Sequence, residues 1–259
     1  MDVALIAPLE LLDMQDRGEM QLMLPHILHP EYVKHYRDRK QGGLFTILDN
    51  GAAEAVKPTG QELLRAAELY KVNELCIFDV LGRGWETVQE ANYFFQYFRN
   101  RAIDLHAAGV AFGFVAQGSD LHIAQLAVDT VMLAPYAHMI KTVYLPRLLL
   151  DHGDLYARVK LATVIHKAYP HLNIHLFGTN RKWIREVYAA SQECPFIRSV
   201  DTSLPFVAAQ ANVQLHTRLP LVGNRQLDFF EHAVSREERL LATYNVDVFL
   251  KWARGESCD

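Results

Sequence analysis

Short apolar runs alternating with longer segments of helical period leave this chain few folds to choose from. "VALIAP" (3–8) and "LFTILD" (44–49) read as strands, and "GQELLRAAELYK" (60–71) then sets Leu63, Leu64, Ala67 and Tyr70 on one helical face. "ELCIFDV" (74–80) reads as a buried strand, followed by a long helix over "WETVQEANYFFQYFRNRAIDLHAAG" that Gly109 stops. "VAFGFVAQG" (110–118), "IKTVYLP" (140–146), "NIHLFGT" (173–179) and "IRSVD" (197–201) are further strands. Helices over "LHIAQLAVDTVMLA", 154–169 and 181–193 separate them. "VQLHT" (213–217) is a candidate eighth strand, and "SREE" is a capping-box pattern that opens a final helix over 235–256.

Strand–helix alternation predicts a parallel sheet with right-handed crossovers. Seven or eight such units in 259 residues fit a closed (β/α)8 TIM-type barrel of the α/β class better than an open doubly wound sheet. No Gly-x-Gly-x-x-Gly follows the first strand to support a dinucleotide fold. With no repeat and no Gly/Ser-rich linker, a single barrel domain over 1–259 is expected, with irregularity allowed in its last unit. Residues 9–43 are too long for a simple βα loop and read as a segment inserted after the first strand, broken by Pro25 and Pro30.

No apolar run reaches the roughly 18 residues that cross a bilayer, and the N-terminus lacks the basic and small-residue features of a signal peptide. Cys76, Cys194 and Cys258 lie far apart, which fits a reducing compartment better than a disulfide framework. A soluble, cytoplasmic protein with no membrane partner is the expectation. The net charge of −4 is unevenly spread. Between Lys141 and Arg185, eight bases stand against Asp151 and Asp154, and "KHYRDRK" (34–40) adds a second basic cluster. Such runs are either solvated helix faces or a surface that tracks phosphates.

In a barrel the chemistry gathers at the carboxyl ends of the strands. There the chain presents Asp49 and Asn50 ("LDNG"), Asp79 ("FDVLGRG"), Gln117 and Gly118 ("VAQGSD"), Arg147 ("YLPR"), Gly178 and Thr179 ("LFGTN"), and Asp201 ("VDTSLP"). Each acid taken alone is as readily a cap on the following helix as a functional group. Converging, they suit glycosyl transfer, in which one acid attacks the anomeric carbon and another handles the leaving group's proton. His171 with His175, and His26 with His29, lack a cysteine or acid at a metal-ligand spacing, so no metal or cofactor is expected.

Taken in order, "LDNGAAE", "FDVLG", "VAQG", "HLFGT" and "VDTSLP" resemble the turns of the tRNA-guanine transglycosylase superfamily over roughly residues 40–210. They resemble most its 7-deazaguanine DNA transglycosylase branch, found in phages and bacterial genomic islands. The resemblance implies exchange of guanine in DNA for a free 7-deazaguanine base such as preQ0, with Asp201 as nucleophile and Asp49 as general acid/base. It also implies that Asp79, Asn50, Gln117 and Gly118 read the base, that Phe177 beside Gly178 stacks on it, and that Arg147 contacts phosphate or base. The tail holds only Cys258 where the tRNA enzymes carry a Cys-x-Cys-x2-Cys…His zinc site, which favours DNA over tRNA. The residues leave open two other readings: a non-catalytic nucleic-acid-binding paralogue and a hydrolase of small N-glycosides.

Overall fold

The computed structural model describes all residues except 28, 55–57, 151–153, 180–184, 217–227 and 257–259. Eight parallel strands close a barrel in sequential order: β1 (Asp2–Leu5), β2 (Met20–Met23), β3 (Phe45–Leu48), β4 (Glu74–Cys76), β5 (Ala111–Val115), β6 (Ile140–Pro146), β7 (Asn173–Phe177) and β8 (Ile197–Thr202). β8 returns to β1 with Ala4 opposite Asp201, which closes the ring. This is the expected TIM-type barrel, and its closure leaves no strand edge to protect.

Helices wrap the ring: α1 (Leu12–Gln15), α2 (Pro30–Gln41), α3 (Gly60–Tyr70), α4 (Gly84–Tyr97), α5 (Arg99–Ala107), α6 (Leu121–Met132), α7 (Ala157–Ala168), α8 (Arg185–Glu193), α9 (Leu204–Gln210) and α10 (Arg236–Ala253). Their starts follow local chemistry. Thr59 and Glu62 form a capping box on α3, Ser235 and Glu238 another on α10, and Asp120 accepts from the Ile123 N–H to cap α6. Among the described residues no helix is long and apolar enough to cross a membrane.

Three expectations are corrected. Residues 9–43 are not an insertion: they hold β2 and α2, the second unit of the barrel. "MQLM" was missed because it is four residues long, carries no β-branched side chain, and both its faces are buried, so it has no alternation. The eighth strand is therefore β2 and not "VQLHT", whose described residues 213–216 form no strand. The long helix after β4 is broken at Phe98, whose φ of −104° and ψ of 23° leave the helical range. Its ring fills the space beside Gly60, where an added Cβ would lie 2.2 Å from a ring carbon.

The barrel interior is partly polar. Arg198 of β8 forms two 2.9 Å bonds to Glu74 of β4, which also accepts from Thr142 Oγ1 (2.6 Å) and Tyr144 Oη (2.5 Å) of β6. Burial works against the Glu74 charge, but the Arg198 contact outweighs it and holds the carboxyl below its usual range. Tyr144 reaches this network past Gly113 of β5, where an added Cβ would sit 2.1 Å from the phenol ring. Gly113→Ala is therefore expected to cost about 1–3 kcal/mol by overpacking, read as a lower urea midpoint. An unchanged midpoint would mean that Tyr144 can leave its place freely.

Candidate active site

Pleating decides which side chains reach the mouth. On β8, Ser199 and Asp201 share a face, and on β7 His175 and Phe177 do the same. In both strands the second member of the pair lies nearer the carboxyl end, where the chemistry of such barrels is placed.

Asp201 is 6% exposed. Its Oδ1 accepts from the Gly178 backbone N–H at 2.9 Å and lies 3.1 Å from His175 Nε2. It caps no helix: the N-cap of α9 is Ser203, which makes no side-chain cap, and the Leu204 N–H is taken by Thr202 Oγ1 at 2.9 Å. Burial, outweighing the neighbouring Asp201 charge, holds the His175 imidazole below its ordinary pKa and hence neutral. Gly178 adopts a φ of +63°, the left-handed region in which glycine turns without strain, and this turn aims its N–H at Asp201.

Asp79 is held from both sides. Its Oδ1 accepts from Asn50 Nδ2 at 2.7 Å and its Oδ2 from Gln117 Nε2 at 2.5 Å. The amides are fixed in turn: Asn50 Oδ1 accepts from the Ala52 N–H (2.9 Å) and Gln117 Oε1 from the Gly82 N–H (2.9 Å). Asn50 Nδ2 also lies 2.7 Å from the Ile77 carbonyl. Asp79 is therefore not a cap on α4, whose N-cap is Arg83. Asn50 and Gln117 each give one amide donor to holding it.

Asp49, 7% exposed, accepts from the Gly51 N–H at 3.2 Å. Cys76 lies beneath this group with Sγ 3.4 Å from Asn50 Nδ2. Burial first, then the Asp49 and Asp79 charges, push its thiol well above the ordinary pKa, so it stays protonated and a poor nucleophile.

The remaining expected residues divide between mouth and scaffold. Phe177 is half-buried and stacks on Tyr144 at 4.4 Å with an interplanar angle of 3°. Arg147 opens a 3-10 turn after β6, is partly exposed, and makes no hydrogen bond or ion pair among the described residues. Gly118 is explained by packing, since an added Cβ would lie 2.5 Å from the Ala124 nitrogen of α6. Thr179 Oγ1 pairs with Thr202 Oγ1 at 2.8 Å.

Among the described residues, the basic run does not assemble beside the mouth apart from Arg147. Arg158 is fully buried, Lys160 pairs with Asp154 at 2.7 Å, and Lys141 is the second residue of β6, at the far end of the barrel. Arg181 and Lys182 fall outside the described residues, as does the Arg185 side chain. In the 34–40 cluster, Lys34 pairs with Asp38, Arg39 with Asp16, and Lys40 donates to Asn73. Arg158, His175 and Ser199 were the residues missed for this site. The period-two pattern of "NIHLF" and "IRSVD" held a signal for the last two, because it aligns them with Phe177 and Asp201. Among the described residues, no group of three or more His, Cys, Asp and Glu is arranged to hold a metal ion.

No family model matches the sequence. No curated protein matches it either. Solved structures do match, among them the crystal structure of an AP endonuclease of family 2 from Brucella melitensis, at 14% identity and a TM-score of 0.49. The alignment covers 78% of this chain and 93% of that one. A likeness that weak carries no argument about chemistry.

The transglycosylase resemblance is corrected by these findings: no family model and no curated protein supports it. The fold supplies a physical reason. The Asp79 turn, which follows the third strand read from the sequence, follows β4, and the Gln117–Gly118 turn, which follows the fourth, follows β5, because β2 was not counted. Motif order without strand register is a weak warrant, since short Asp-, Gly- and Pro-containing turns recur at strand ends for conformational reasons. The guanine/7-deazaguanine exchange in DNA, and its tRNA alternative, are set aside with it.

Proposed function

We propose that the barrel mouth is an acid–base site that hydrolyses the glycosidic bond of a small N-glycoside. The observation that carries this reading is the clamp on Asp201, which fixes one carboxylate oxygen with a backbone N–H and a neutral imidazole. Its other oxygen makes no hydrogen bond among the described residues. Three carboxylates at one mouth favour positive charge, and the transition state of glycoside cleavage is oxocarbenium-like.

In this scheme Asp201 Oδ2 attacks the anomeric carbon as the bond to the leaving group breaks, and Asp49 delivers a proton to that group. Asp49 then takes a proton from water, whose oxygen attacks the same carbon and frees Asp201, with net retention of configuration. Asp79, held by Asn50 and Gln117, presents its negative charge to the ligand, Phe177 offers a ring for a flat aglycone, and Arg147 would meet an anionic group at the rim. A reducing, cytosolic setting goes with this reading, since Cys76 and Cys194 are both free thiols.

Release of reducing sugar from a panel of nucleosides and aryl N-glycosides tests it, with Asp49→Asn as control. Release that is lost in Asp49→Asn, and a glycosyl adduct trapped on Asp201 by a 2-fluoro sugar, are expected. Cleavage of DNA, intact or abasic, with no small glycoside turned over would overturn the reading.

A further inference from the structure

The clamp on Asp201 does not end at His175. His175 Nδ1 lies 2.7 Å from Ser199 Oγ, and Ser199 Oγ lies 3.2 Å from Arg198 Nε, whose guanidinium grips Glu74. Ser199, His175 and Glu74 are all at most 1% exposed. Serine, histidine and aspartate build nucleophilic serines elsewhere, but in the chain Ser199–His175–Asp201 the order is inverted. Ser199 is 0% exposed inside the barrel, and Asp201 is the member nearest the mouth.

Donor and acceptor arithmetic fixes the chain. Arg198 can only donate, so Ser199 Oγ accepts from Nε and its own hydrogen is free to point elsewhere. A neutral imidazole carries one N–H and one lone pair. The carboxylate Oδ1 can only accept, so the N–H belongs on Nε2, and Nδ1 accepts from the Ser199 hydroxyl. We propose that Ser199, oriented by Arg198, donates to the Nδ1 lone pair and so holds His175 in the neutral Nε2–H tautomer that Asp201 selects, making Ser199 and His175 the positioning residues of the mouth carboxylate. The groups facing His175 are consistent with this. Asp201 and Arg198 come from β8 and Glu74 from β4, while the Tyr144 and Phe177 rings meet it edge-on at 5.4 and 5.3 Å.

The inference rests on Asp201 being the working carboxylate, as proposed above, but its test does not need activity. Histidine-selective 15N labelling, with His175 identified by the signals lost in His175→Asn, reads which ring nitrogen carries hydrogen. In the wild type Nε2 is expected to be protonated and Nδ1 bare, unchanged as the pH falls past the ordinary histidine value of 6.5. Ser199→Ala is expected to turn this into a mixture of tautomers or into a ring that titrates. Ser199→Thr, which keeps the hydroxyl, is expected to restore the single tautomer. An Nδ1–H tautomer in the wild type would overturn the proposal, as would a folded Ser199→Ala whose His175 signals do not move. If the tautomer behaves as expected and no glycoside is turned over, the function reading fails and the positioning chain stands.

Discussion

Asp201→Asn is expected to lower turnover of a cleaved glycoside by at least about three orders of magnitude, the scale on which removal of a nucleophile registers. The fold should be kept. An asparagine at 201 is nearly isosteric and retains an oxygen that can accept from the Gly178 N–H and His175 Nε2, so neither buried donor is orphaned. What it loses is the charge and the nucleophilic lone pair at the second oxygen. Asp201→Ala, by contrast, would strand both donors and mix a stability defect with the catalytic one. Measuring kcat beside the thermal midpoint for the two variants separates these effects. A folded Asp201→Asn protein that keeps more than about a tenth of its activity would remove Asp201 from the chemistry.

Arg158→Met is the substitution expected to cost most in stability, about 3–5 kcal/mol, because it leaves a buried carboxylate without its cation. Arg158 and Glu186 are both 0% exposed, joined by bonds of 2.8 and 2.5 Å. The remaining Arg158 nitrogen donates to the carbonyls of Leu145 (3.1 Å), Phe177 (2.9 Å) and Gly178 (3.0 Å). One guanidinium thus ties the ends of β6 and β7 to α7, and it holds the turn whose N–H meets Asp201. The double variant Arg158→Met, Glu186→Leu removes both charges and should recover much of the loss in urea unfolding. A loss under about 1 kcal/mol in the single variant would show that Glu186 finds water or another partner.

The barrel was legible because its signals are local. Strand–helix alternation, the Ser235 capping box and the strand-end position of Asp49, Asp79 and Asp201 all lie within a few residues of sequence. β2 was not legible. A four-residue strand buried on both faces has no alternation, and "MQLM" passes equally for helix. One missed strand shifted the count, and with it the strand positions assigned to the motifs that carried the family resemblance.

Charge was the feature most misread from sequence. Arg158 counted there as one more base in a positive run, yet it is the most deeply buried cation described, because α7 and α8 pack Glu186 against it. Likewise "IRSVD" showed an acid after a strand but not its partners. His175, Gly178 and Ser199 meet Asp201 only once β7 pairs with β8, in a register that sets His175 beside Ser199. Sequence determined the period of most elements, β2 excepted, and therefore the closed parallel barrel, since periodicity and caps act between near neighbours. Tertiary structure alone decided which polar groups face one another, because hydrogen bonds and ion pairs between strands depend on register and burial, which no single segment contains.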